Sequence, residues 1–165
     1  MMATEELTFP ELIEFSAYGG NFKNYFDAVY AIFHTDFIKT HPQYEGLNVS
    51  VRKYPEVDGM HRTFYHITHE GEDEANRQPD IRRMERIRFP KFVIQNKQHN
   101  EILIWKNKRG KDERIVLFNE QESYVLILTN RGKYFLFITA YLVEKEHRKR
   151  KLIKEYEAYI KTKTA

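Results

Sequence analysis

The densest polar run in the chain is His61-Arg62-Thr63-Phe64-Tyr65-His66-Ile67-Thr68-His69-Glu70. An unperturbed imidazole titrates near 6.5, so a histidine such as His66 can take or give a proton at neutral pH. A second concentration is Arg131 and Tyr134, followed by Thr139 and Tyr141. A guanidinium grips phosphate through parallel N–H donors, and each hydroxyl can donate one bond more. Arg83 offers another guanidinium and Lys106 a point charge. Together these side chains suit chemistry at a phosphate, with proton transfer at His66 and cations and hydroxyls around it. The rival from the same run is a metal hydrolase using His61, His69 and the acidic loop Glu70-Gly71-Glu72-Asp73-Glu74. A strand over Arg62–Thr68 would turn His66 and His69 to opposite faces, so no metal is assigned.

Other chemistries fall away. The chain has no cysteine, which removes disulfides, thiolate zinc sites and cysteine nucleophiles. It lacks the phosphate-cradling G-x-x-x-x-G-K-[ST], the dinucleotide G-x-G-x-x-G, the zinc-protease H-E-x-x-H and the serine elbow. No cofactor is expected. No apolar run approaches the ~20 residues that span a bilayer, and the acidic start Met1-Met2-Ala3-Thr4-Glu5-Glu6 lacks a signal pattern. The expectation is a cytoplasmic protein without a membrane partner. The 27 basic and 24 acidic residues leave a net charge of +3. Lys91, Lys97, Lys106, Lys108, Arg109, Lys111 and Arg114 crowd the middle, and Arg148-Lys149-Arg150-Lys151 the end. Clustered positive charge favours a polyanion.

The elements that must position these residues follow from periodicity. Pro10 suits a first helical turn over Phe9–Ile13, which Gly19-Gly20 breaks. Asn21 is a natural N-cap. Phe22, Tyr25, Phe26, Val29, Tyr30, Ile32, Phe33 and Phe37 recur at helical spacing over 22–39. Leu47, Val49 and Val51 alternate as a strand, and the β-branched and aromatic content of Arg62–Thr68 predicts another. Pro79–Arg88 reads as a short helix that Pro90 ends, with Lys91–Gln95 a strand or connector. Ile102–Trp105, Arg114–Phe118, Tyr124–Leu128 and Tyr134–Leu142 are short apolar runs with hairpin-length turns between them, which predicts an antiparallel meander. On the last run Thr139 and Tyr141 are expected to share a face with Phe135 and Phe137. Glu144–Lys161 closes the chain as a helix. The expected class is α+β, in one domain over 1–165: helices over 1–40, a sheet region over 47–143 and a helix over 144–162.

Thr63-Phe64-Tyr65-His66-Ile67-Thr68, Arg82-Arg83-Met84-Glu85-Arg86-Ile87, Trp105 and the path from Arg131-Gly132-Lys133-Tyr134 to Thr139-Ala140-Tyr141 carry a resemblance. Across residues 48–160 the chain resembles the phage-type nucleases of the barnase, EndoU, colicin E5/D and RelE superfamily. The resemblance implies N-terminal helices followed by a curved antiparallel sheet. It also implies metal-independent cleavage of RNA, tRNA among the targets, in a toxin or phage–host setting with a cognate inhibitor protein as partner.

Metal-free RNA cleavage needs a base for the 2′-OH proton, an acid for the 5′-oxygen and cations for the charge at phosphorus. His66 would be base or acid. Arg131, with Arg83 second, would hold the phosphate, and Thr139 and Tyr141 would bond its oxygens or orient His66. Lys106 is a further cation, and Tyr65 or Trp105 would stack a base. The second acid or base has no clear counterpart; His61, His69 and Glu70 are candidates. The rival function is a non-catalytic module of the same fold that binds nucleic acid or protein.

Overall fold

The structure is a computed structural model that describes residues 5–164, so the start of the chain at 1–4 lies outside the described residues. Asn21 opens the first long helix by accepting a bond from the Asn24 N–H at 3.0 Å, as an N-cap should. This helix, α1 (Phe22–His34), buries Tyr25, Val29 and Phe33, four residues apart. One π-helical turn over Thr35–Lys39 extends it and sets Phe37 against Phe137, with ring centroids 5.2 Å apart. Two short strands follow, β1 (Gln43–Tyr44) and β2 (Leu47–Ser50).

The segment Arg62–Thr68 is not a strand. It is a helix, α2, whose Thr63, Phe64, Tyr65, Ile67 and Thr68 are buried. Strand propensity measures fit to a half-buried surface, and a helix packed on two sides presents the same residue types. The face parity expected of His66 and His69 fails with the strand. A small ribbon, β3 (His69–Glu70) with β4 (Gln78–Pro79), leads to α3 (Ile81–Glu85), capped by Asp80. Pro90 does not stop a helix. It sits in the first turn of α4 (Phe89–Gln95), where its missing N–H costs nothing, so Lys91–Gln95 is helical rather than extended. Near the N-terminus Phe9–Ile13 forms no helix, and a 3-10 turn at Phe15–Tyr18 stands beyond it. Phe9 packs its ring 4.8 Å from both Phe89 and Phe92, and the Ile13 N–H bonds the Glu85 carbonyl, so tertiary contacts hold this segment open.

The meander is as expected: β5 (Leu103–Arg109), β6 (Asp112–Asn119), β7 (Tyr124–Asn130) and β8 (Phe135–Leu142) pair antiparallel in sequence. The sheet is nevertheless mixed, because β2 joins β8 in parallel, giving the order β1-β2-β8-β7-β6-β5. One face carries the main core with α1, α2 and α4; the other, around Trp105, Phe118 and Val125, is covered by Leu152, Ile153, Tyr156 and Tyr159 of α5 (Glu146–Thr164). The chain is therefore α+β, with helices first, a curled sheet and a C-terminal helix. No helix among the described residues is long and apolar enough to cross a membrane.

Two details of β8 decide where Thr139 and Tyr141 stand. Its pairing to β2 stops at Leu136, which leaves residues 138–142 as an open edge beside α2. A bulge also breaks its register: Leu128 opposes Phe137, but Ile127 opposes Thr139. The extra residue, Ile138, resets the face parity. Phe135 and Phe137 point into the main core, while Thr139 and Tyr141 face with Ile127 and Val125. The face shared with Phe135 and Phe137 is thus corrected, although Thr139 and Tyr141 still share one with each other.

Candidate functional site

His66 projects from the last turn of α2, and both ends of that helix are tied down. At its start, the Arg62 N–H bonds the Lys53 carbonyl at 3.1 Å and the Thr63 N–H bonds the Arg52 carbonyl at 3.2 Å. The Thr63 hydroxyl accepts from the Arg52 N–H at 2.8 Å. First-turn N–H groups have no partner within a helix, so segment 52–53 supplies the missing acceptors. At its end, Arg77 Nη1 donates to the carbonyls of His66 (3.2 Å) and His69 (3.0 Å), and Arg83 Nη1 donates to His69 O at 2.9 Å. Cations at a helix C-terminus also meet the negative end of its dipole.

The imidazole so placed meets β8. His66 Nε2 lies 3.1 Å from Thr139 Oγ1, and the tautomer decides which of them donates. An open cleft of about 520 Å³ adjoins the pair, lined by Arg52, Arg62, Thr63, His66, Phe137 and Ile138 among others. Arg62 Nε donates to the Pro55 carbonyl at 2.9 Å, which sets its guanidinium at the rim. Arg52 is exposed, and its guanidinium makes no hydrogen bond or ion pair among the described residues. Tyr54, at 65% the most exposed large apolar side chain among the described residues, stands two residues from it. Arg52 and Tyr54 escaped the sequence reading; the signal was the basic and aromatic run Arg52-Lys53-Tyr54 beside a turn.

The other expected site residues separate. Arg131 lies in the β7–β8 turn, where Nη1 bonds Asp112 Oδ1 at 3.2 Å. It lies beyond the Asn130–Phe135 pair while Thr139 opposes Ile127, so at ~3.3 Å per residue it is more than roughly 13 Å from Thr139. Arg83 and Tyr141 instead line a smaller pocket together with Arg86 and Tyr124. Arg83 also braces Asp80, at 3.4 Å. Lys106 is on β5, 3.6 Å from Glu113. Neither expected stacking platform is open. Trp105 is 1% exposed, its Nε1 bonded to Glu155 Oε1 at 2.7 Å and its ring 5.8 Å from that of Tyr156. Tyr65 is 7% exposed, its hydroxyl accepting the Arg77 N–H and its ring 4.4 Å from that of His69.

The candidates for a second acid or base do not line the cleft. His61 precedes α2 and pairs its Nδ1 with the Tyr30 hydroxyl at 3.2 Å. His69 follows α2, its Nδ1 3.1 Å from the Tyr65 carbonyl, so that nitrogen carries the proton. Burial first of all, then neighbouring cations, holds both imidazoles below their ordinary range. Glu70 is exposed on β3. With His61 and His69 at opposite ends of a helix, the metal arrangement does not form, and no group of three potential ligands is assembled among the described residues. The side chain of Glu74 lies outside them.

No protein-family model, curated protein or solved structure matches this chain.

Proposed function

We propose that the protein is a metal-independent endoribonuclease whose reaction centre is His66 in the α2–β8 cleft. The observation that carries the reading is an imidazole held against the Thr139 hydroxyl at 3.1 Å beside a cleft lined by Arg52 and Arg62. Proton transfer, an orienting hydroxyl and cationic charge are what a phosphodiester needs around it.

His66 takes the proton from a 2′-OH, and that oxygen attacks the adjacent phosphorus. The bond to the 5′-oxygen breaks, and the leaving oxygen takes a proton from solvent at the cleft mouth. The products are a 2′,3′-cyclic phosphate and a 5′-hydroxyl. Arg62 and Arg52 stabilise the charge on the phosphoryl oxygens, and the exposed ring of Tyr54 offers a face for a base. This chemistry is what the resemblance to the barnase, EndoU, colicin E5/D and RelE nucleases would imply. It brings a cytoplasmic setting, RNA such as tRNA as substrate and an inhibitor protein as partner.

The test is incubation of purified protein with tRNA and total RNA in EDTA, with end-group analysis of the products. Wild type should yield cyclic phosphate ends, and His66→Ala should be slower by about 10²–10⁴-fold, the usual range for a general base. Identical RNA patterns from the two proteins would rule out catalysis here. Salt-sensitive RNA binding without cutting would make the protein a binding module instead.

A further inference from the structure

Beside the His66 cleft, across Ile67, lies a second concavity formed by Arg83, Arg86, Tyr124, Ala140 and Tyr141. Its composition is lopsided. Arg86 Nε is buried without a hydrogen-bond partner, and the hydroxyls of Tyr124 and Tyr141 make no hydrogen bond among the described residues. Both guanidinium groups act on the Tyr124 hydroxyl, although burial dominates and pushes its ionisation far up, so it remains a neutral donor. Two carboxylates stand by, Asp80 3.4 Å from Arg83 Nε and Glu85 3.7 Å from Arg86 Nη1. They offset charge without reaching Arg86 Nε. Arg86 Nη1 donates to the Arg82 carbonyl at 3.0 Å, which leaves Arg86 Nε and the two hydroxyls as donors that no acceptor among the described residues engages.

The space is small. At about 10 Å³ it admits one oxygen-sized atom, so a ligand would insert a single oxygen and keep the rest of its group at the mouth. Its position is as telling as its chemistry. Ile138 lines the cleft and Tyr141 the pocket, on the same open edge of β8. Three strand residues cover roughly 10 Å, which a stacked nucleic-acid strand spans in about three nucleotides at ~3.4 Å each.

We infer that Arg86, Arg83, Tyr124 and Tyr141 form a second phosphate subsite, which takes one non-bridging oxygen of the RNA strand whose scissile phosphate lies at His66. The inference rests on the reading of that cleft as the site of RNA cleavage. The strand runs along the β8 edge, and the pocket fixes its register a few nucleotides from the cut.

The test compares cleavage of a diribonucleotide, too short to reach both places, with that of a hexaribonucleotide. In wild type the hexamer should have the higher kcat/KM. Tyr141→Phe and Arg86→Gln should each cut that advantage about tenfold, the effect of losing one charge-assisted bond. An undiminished advantage in folded Tyr141→Phe, whose ring is half-buried and tolerates the change, would overturn the subsite while cleavage at His66 stands. If wild type cuts neither substrate, the functional reading fails and the pocket is judged by affinity for the hexamer. Weaker binding by Tyr141→Phe then supports it as a phosphate site, and equal binding refutes it.

Discussion

His66 and Thr139 are 73 residues apart in sequence, yet Nε2 and Oγ1 lie 3.1 Å apart across the gap between α2 and the open edge of β8. The contact depends on the bulge at Ile138: without the extra residue, position 139 would keep the face of Phe135 and Phe137 and enter the main core.

That dependence makes Thr139 the residue to test for positioning. Thr139→Val keeps the shape and removes the hydroxyl, and cleavage of RNA should fall about tenfold, as for loss of one orienting hydrogen bond. Thr139→Ser should restore most of the rate. A purely structural role predicts the reverse emphasis, with both variants losing stability by urea unfolding and the rate per folded molecule unchanged.

Arg52 and Arg131 form a matched comparison, one arginine in the cleft and one outside it. Arg52 lines the cleft and is exposed, whereas Arg131 is tied to Asp112 at the hairpin end. Arg52→Ala should weaken RNA binding and reduce the slope of log affinity against log salt by roughly one, the signature of a lost phosphate contact. Arg131→Ala should leave binding near wild type and cost at most about 1 kcal/mol, because its ion pair is a surface one. Equal losses from the two variants in a salt titration would move the binding surface away from the cleft.

Trp105 separates a stacking residue from a structural one. Its indole N–H and Asn107 Nδ2 both donate to Glu155 Oε1 at 2.7 Å, which fastens α5 to β5. Trp105→Phe removes one bond to a carboxylate and leaves a gap, so stability should drop by about 1.5–3 kcal/mol with RNA affinity unchanged. In thermal unfolding this is a fall of roughly 3–12 °C. Loss of affinity at full stability would restore the ring as a base platform.

The meander was legible because hairpins are local: short apolar runs and the turns at Asn119-Glu120 and Asn130-Arg131-Gly132 define it without distant information. α1 was equally plain, since Phe22, Tyr25, Val29 and Phe33 keep one period. α2 was not, because Thr, Phe, Tyr and Ile are strand formers by propensity and only burial on two sides explains them in a helix. The parallel β2–β8 pairing and the Ile138 bulge leave no local mark. Hence His66 and Thr139 could be chosen by residue type, while their separation from Arg131 needed the register. Arg86 and Tyr124 had no distinguishing spacing at all.

The buried histidines predict how stability follows pH. His61 and His69 both have ionisations lowered from 6.5, chiefly by burial. The unfolded chain therefore binds their protons more readily than the folded one, and stability rises with pH through the interval between the lowered values and 6.5. Acidification through that interval withdraws the contribution, and below the lowered values nothing further is lost from these groups. Asp36, raised mainly by burial, works the other way: above 3.8 the folded chain holds its proton longer, so acidification through its own interval recovers some stability. Urea unfolding should thus show lower stability at pH 5 than at pH 7.5. His69→Gln can still offer an N–H near the Tyr65 carbonyl but cannot ionise, so the fall between these two pH values should shrink. A fall as large as wild type in both His69→Gln and His61→Gln would assign the acid sensitivity to other groups.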